Sequence, residues 1–216
     1  MSLLEYALLS VSTLFTLINP IGISPLFLVL TERFNDAERK TIARKGTLTG
    51  AVTLTVFALL GTYIFTLYAI TLDAFRIMGG IIFFRSGIRM LESIAPRTRS
   101  TPKEQEESLH HDDIAISPIG IPVITGPGAI TAAMVLSGQA SNPLHYAILL
   151  VSIVLVLYVT YWFLRGADSL SKRLGMTGMR VIQRVMGIIL MVIAVQFIIN
   201  GVTPVLESVI SSAIVI

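Results

Sequence analysis

Charged connections divide the amino-acid sequence into six apolar stretches, each about 20 residues or longer, which is the length an α-helix needs to cross a hydrocarbon core. They run approximately from Leu3 to Leu30, Thr47 to Ala69, Thr71 to Leu91, Ile114 to Leu136, Leu144 to Leu164 and Val181 to Gly201. The first is too long to be one straight span. Only 13% of the 216 residues are charged and 54% are hydrophobic, against roughly 25% charged in an ordinary soluble domain. Apolar blocks of this length are solvated by lipid rather than by water, so the expected fold class is an all-α membrane protein of six transmembrane helices. The N-terminus, Met1-Ser2-Leu3-Leu4-Glu5, has no basic region, and its apolar stretch runs on past any small-residue cleavage site. It is read as a retained first span.

Positive charge is kept on the cytoplasmic side of a membrane, so the connections carry the orientation. The first (Arg33 to Lys45), the third with its adjoining helix end (Arg85 to Lys103) and the fifth (Arg165 to Arg184) hold five lysines or arginines each. Only Arg76 lies on the other side, a balance of fifteen to one among the 16 basic residues. This predicts a multi-pass protein of the cell (inner) membrane with both termini extracytoplasmic. The basic excess suits the lipid bilayer as partner, and no nucleic-acid partner is expected.

Two short matches recur in the same order. Asn19-Pro20-Ile21-Gly22-Ile23 resembles Ser117-Pro118-Ile119-Gly120-Ile121 at an offset of 98 residues, and Arg76-Ile77-Met78-Gly79 resembles Arg184-Val185-Met186-Gly187 at an offset of 108. The expected organisation is therefore a three-helix repeat over 1–91, a polar cytoplasmic linker over 92–113, a second three-helix repeat over 114–204 and a tail over 205–216. A repeat with an odd number of spans must be inserted in the opposite sense the second time, which is a recurring plan of secondary transporters.

Proline removes a backbone donor and collides with the preceding turn, so clustered prolines and glycines should break the first and fourth helices. Backbone freed within a bilayer must face protein or a wet cavity. A half-helix N-terminus suits a carboxylate and freed carbonyls suit an ammonium, and a zwitterionic amino acid presents both. The candidate substrate-binding residues are Asn19, Pro20, Gly22, Ser24 and Pro25 from the first cluster, and Pro118, Gly120, Thr125, Gly126, Pro127, Gly128 and Thr131 from the second. The bland alternative is kinks and glycine packing contacts in ordinary membrane helices.

Arg76, Arg85, Gln196 and Asn200 are candidate path or gate residues. The competing readings are an interfacial ion pair of Arg76 with Asp73, snorkelling of Arg85 to the surface, and helix-joining contacts for the two amides. The absence of cysteine excludes thiolate chemistry and cysteine-ligated metals. His110-His111-Asp112-Asp113 lies in the polar linker without a convergent set of ligands and is read as solvated, so no metal and no cofactor is expected. No nucleophile with its base and no phosphate-binding loop is visible, so an enzyme is not expected.

Asn19-Pro20-Ile21-Gly22-Ile23-Ser24-Pro25-Leu26-Phe27, the charged connection from Thr31, and Gly126-Pro127-Gly128-Ala129-Ile130-Thr131 resemble the MarC family of integral membrane proteins over nearly the whole chain. The resemblance implies a six-helix inner-membrane protein related to the lysine-exporter superfamily of amino-acid exporters, with some members transporting small neutral amino acids such as glycine and alanine. Asn19, Pro20, Gly22 and Pro25, with Gly126, Pro127 and Gly128, match the family's motifs. Ser117 stands where the first half has Asn19.

The expected function is thus a secondary transporter exporting a small neutral amino acid by alternating access. An ion or small-solute channel, or a membrane protein without transport activity, is the alternative. No aspartate or glutamate falls deep in a span, so a carboxylate proton relay lacks an obvious carrier, and the sequence does not specify a coupling proton or sodium ion. A homo-oligomer is compatible with the sequence but not specified by it.

Overall fold

A proline cannot donate the hydrogen bond that continues a helix, and Asn and Gly are the residues that best tolerate the left-handed backbone at a helix end. Both rules shape the computed structural model, which describes residues 1–92 and 114–214 and holds only helices and their connections among them. Helix α1 (Leu3–Ile18) starts from a reciprocal cap in which Ser2 Oγ accepts from the Glu5 N–H and the Glu5 carboxylate accepts from the Ser2 N–H. It stops at Asn19, whose backbone is left-handed (φ 49°, ψ 65°), and α2 (Pro20–Leu30) begins at once with proline in its first turn. The expected break in the first span is present.

Helix α3 (Asp36–Leu67) opens on a second reciprocal cap between Asn35 and Glu38. It therefore begins well before Thr47, because its charged first turns are as helical as the apolar stretch that follows. After α4 (Leu72–Leu91), and beyond the undescribed residues, Ala115–Ile124 winds in wide π-type turns interrupted by extended residues at Ser117 and Ile121. Helix α5 (Pro127–Gln139) then leaves at a bend of 63°. Helix α6 is Pro143–Arg165, and α7 is Ala167–Ile214 with a break at Gly175, the one glycine at positive φ (62°) among the described residues. The segment expected as a separate tail continues α7 through Pro204.

Three stretches are long and apolar enough to cross a membrane, namely Leu3–Leu30, Pro143–Arg165 and Arg180–Glu207, and the bent pair around Gly126 makes up to four. Their outer faces are greasy: Leu8 is 64% exposed, Val151 65% and Val192 66%. Water does not suit such a surface, and lipid does.

The tightest packing joins α4 to α7. A Cβ added at Gly201, Gly80 or Gly87 would lie 2.6, 2.7 or 2.8 Å from the carbonyl oxygens of Asp73, Ala194 and Gly187 respectively. Positions 73, 80 and 87 thus oppose 201, 194 and 187, an antiparallel seven-residue register in which small residues let the two backbones touch. Elsewhere α1 and α2 pack on α6, and α3 packs on Ala115–Ile124 and α5. Gly46 and Gly50 of α3 meet Ile119, Ile124 and Thr125, and Gly61 meets Met134.

Candidate functional site

At the first interruption Asn19 is a hinge and a cap together. Its N–H donates to the Phe15 carbonyl (2.9 Å), its own carbonyl accepts from Ile23 (3.1 Å), and its side-chain Oδ1 accepts from the Gly22 N–H (3.1 Å). Gly22 is required by this arrangement. A Cβ there would sit 2.0 Å from Asn19 Nδ2, so the asparagine amide occupies the space a side chain would need. Ser24 is buried and donates to the Pro20 carbonyl (2.8 Å), with the Phe163 carbonyl of α6 at 3.5 Å. Pro20 and Pro25 lack N–H groups, so the carbonyls of Thr16 and Ile21 lose their normal partners four residues on. Asn19 Nδ2 has no hydrogen-bond acceptor among the described residues.

At the second interruption the Gly120 carbonyl accepts from both the Thr125 N–H (3.1 Å) and the Thr125 hydroxyl (2.9 Å), which closes the turn. Gly120 itself lies against Thr49 of α3. Gly126 stands at the N-cap of α5 with no side chain capping that helix, and Pro127 follows. The Ile130 N–H reaches the Gly126 carbonyl, which leaves the N–H groups of Gly128 and Ala129 as the open end of the α5 dipole. Pro118 is half-buried in the irregular segment, and its preceding peptide bond is cis.

The two interruptions come together. A Cβ on Gly128 would lie 3.1 Å from Leu17 Cδ2, two residues ahead of Asn19, and 3.6 Å from the ring of Phe83. One turn along α5, buried Thr131 presses its methyl on Gly79 of α4, and its hydroxyl has no partner among the described residues. Phe197 of α7 packs on Phe83 at 5.1 Å. Leu17, Gly128, Thr131, Gly79 and Phe83 thus form a tight junction where α1, α4 and α5 meet.

Sequence reasoning missed a polar face that leads to this junction. Ser10 and Thr13 of α1 are buried, and neither hydroxyl has a partner within hydrogen-bond geometry among the described residues. Tyr6, one turn earlier, is fully buried, donates to the Leu136 carbonyl (2.8 Å) and meets the His145 ring edge-on at 4.8 Å. Positions 6, 10, 13 and 17 share one helical face. Their spacing of four, three and four residues was a signal available in the sequence. Orphaned buried hydroxyls call for an explanation, and ordered water is the usual one. Gln183 of α7 was missed as well; its Nε2 lies 3.5 Å from the Gly22 carbonyl.

The remaining candidates lie apart from the junction. Arg76 Nη1 pairs with Asp73 Oδ1 at 2.8 Å, the ion pair weighed in the sequence, while its Nε is buried without a partner among the described residues. Gln196 Nε2 donates to Asn200 Oδ1 (2.7 Å), and both amides are exposed on α7. Arg85 is exposed on α4. His110 to Asp113 lie outside the described residues.

The fold and the two converging interruptions define a helical integral membrane protein with several apolar spans. More narrowly, the chain belongs to the MarC family of integral membrane proteins, whose family profile matches residues 4–206. It is 40% identical over 200 residues to the UPF0056 membrane protein YvbG of Bacillus subtilis, covering 91% of this chain and 95% of that one. A UPF0056 membrane protein of Methanocaldococcus jannaschii is 38% identical over 199 residues (92% and 97%), and YhcE of Escherichia coli is 31% identical over 189 residues (88% of each). No solved structure matches significantly.

Proposed function

We propose that this protein is a secondary transporter that exports small neutral amino acids of the glycine and alanine type by alternating access, without covalent chemistry. The observation that carries the reading is the meeting of the two interruptions at Leu17 and Gly128 beside the uncapped N-terminus of α5. The Gly128 and Ala129 N–H groups suit the substrate carboxylate, and the Thr16 and Ile21 carbonyls suit its ammonium group. Asn19 caps α2 with its Oδ1, so the α5 end is the one left for an anion, and the Asn19 and Thr131 donors remain for the substrate. A methyl on Gly128 would meet Leu17 Cδ2 at 3.1 Å and the Phe83 ring at 3.6 Å, so in this conformation the gap holds little more than a methyl group. A substrate must therefore part α1 from α5, and a small one requires the least separation.

Alternating access needs two halves that rock about a shared site. We read the chain as six spans in two inverted halves, with α3, α4 and the bent pair joining the three apolar stretches. The packing supports this: each half's interrupted helix rests on the other half's second helix, and the third helices, α4 and α7, run antiparallel. Antiparallel third helices are what inversion requires. The lysine and arginine distribution supports both termini outside the cytoplasm. The row from Tyr6 through Ser10 and Thr13 then forms the extracytoplasmic approach to the junction.

Counterflow of labelled alanine into proteoliposomes tests the reading. The wild-type protein should accumulate label against preloaded alanine with saturation. Asn19→Ala and Gly126→Leu should abolish this while inserting normally. Undiminished counterflow in both variants, or its absence in the wild type, overturns the assignment.

A further inference from the structure

A second site lies away from the junction. The outer face of α4 bears an open groove of about 460 Å3, walled by Ile81, Phe84 and Ile88 with Ile198 of α7, and carrying Arg85, Arg89 and Glu92 toward its end. The apolar wall is exposed, at 59% for Ile81, 39% for Phe84 and 37% for Ile88. Arg85 and Arg89 stand one turn apart on the same face.

No acid among the described residues answers either of these two cations, and they stand side by side above an apolar wall. Arg76 has Asp73, Lys172 has Asp168 and Arg165 stacks on Trp162, whereas neither Arg85 nor Arg89 has a hydrogen bond or ion pair among the described residues. Glu92 is seven residues beyond Arg85, roughly 10 Å along the helix axis, too far to neutralise it. Arg85 also sits six residues inside the end of α4, roughly 9 Å, on a face that meets lipid. A guanidinium at that depth requires an anion or a route to the headgroups. The groove supplies a positively charged end and an oily length, the two parts of a phospholipid.

We propose that this groove binds one anionic phospholipid, with its phosphate held between the guanidiniums of Arg85 and Arg89 and an acyl chain along Ile81, Phe84, Ile88 and Ile198. Paired guanidiniums match phosphate oxygens with charge-assisted, bidentate hydrogen bonds. With Glu92 the groove keeps a net charge of +1, which an anionic lipid balances and a zwitterionic one does not. The four apolar side chains commit the site to a lipid rather than a soluble phosphate, because a small ion leaves them uncovered. This site does not depend on the transport reading.

The test uses the single native tryptophan to advantage. In a Trp162→Phe background, Phe84→Trp places a reporter in the groove, and Val151→Trp places a control on the exposed face of α6. The full-length protein is reconstituted in phosphatidylcholine and phosphatidylglycerol mixtures in which one or the other lipid is brominated, and quenching gives relative occupancy. Phosphatidylglycerol should be favoured more than tenfold at position 84 and not at position 151. Each arginine should contribute about fivefold, so Arg85→Gln with Arg89→Gln removes the preference. Arg180→Ala, another exposed cation, should leave it intact, as should millimolar inorganic phosphate. Equal quenching by the two lipids at position 84, a preference that survives the double variant, or displacement by inorganic phosphate would each overturn the proposal. All three readouts are independent of alanine flux.

Discussion

Gly22→Ala is the substitution whose sign the structure determines most sharply. Gly22 lies in the first turn of α2, where alanine is normally the better helix former by about 0.5–1 kcal/mol. The added methyl would lie 2.0 Å from Asn19 Nδ2 and 2.7 Å from Asn19 Cγ, so the asparagine side chain must leave. Its cap on the Gly22 N–H is lost with it, at about 1 kcal/mol. The two effects nearly cancel, and stability alone reveals little. The diagnostic is a double-mutant cycle with Asn19→Gly, which keeps the left-handed hinge without a side chain to expel. In that background Gly22→Ala should stabilise by about 0.5–1 kcal/mol, since only the helix-forming gain remains. The coupling between the two sites should therefore be about 1 kcal/mol, measured by reversible denaturation of the detergent-solubilised protein. Equal effects of Gly22→Ala in both backgrounds, within about 0.5 kcal/mol, would refute the account of why asparagine and glycine occur together here.

Gly87→Ala or Gly187→Ala should destabilise by about 1–3 kcal/mol, because the new Cβ meets the opposing backbone at 2.8 Å; a lowered unfolding midpoint checks this. Thr13→Val removes a buried orphan hydroxyl and should not weaken the fold, yet it should slow alanine flux if that face carries water; unchanged flux with raised stability would mark a dry packing contact. The chain is free of cysteine, so Ser2→Cys and Ser141→Cys should react with an impermeant thiol reagent applied to intact cells, and Ser171→Cys only after permeabilisation.

What the sequence disclosed, and what it hid, follows from the range of the forces concerned. The break at Asn19 and Pro20 and the one before Pro127 were visible because proline and a glycine or asparagine hinge act on their own turn. Helix α3 starts at Asp36, ahead of the apolar stretch that opens at Thr47. Hydropathy marks where lipid begins, not where helix begins, although the Asn35 and Glu38 cap was there to be read. The 63° bend at Gly126 has no counterpart at Asn19, and residue types alone do not distinguish the two. Gly80 and Gly87 are seven apart in the sequence, but their alignment with Ala194 and Gly187 depends on an antiparallel partner more than a hundred residues away. The sequence marks Asn19 as a candidate substrate ligand, yet its Oδ1 is committed to the Gly22 N–H, so only its Nδ2 is free for that purpose among the described residues. Ser10 and Thr13 escaped notice because hydroxyls are common in membrane helices and become informative only once their burial without partners is known.

The most direct test of the junction is the reactivity of a single cysteine at position 131. Thr131→Cys is expected to be modified by a charged, membrane-impermeant thiol reagent in reconstituted vesicles, and alanine should slow the reaction. A cysteine that stays inert to the reagent from both sides of the membrane, or reacts at a rate indifferent to alanine, would mean that no substrate-accessible pocket forms where α1, α4 and α5 converge.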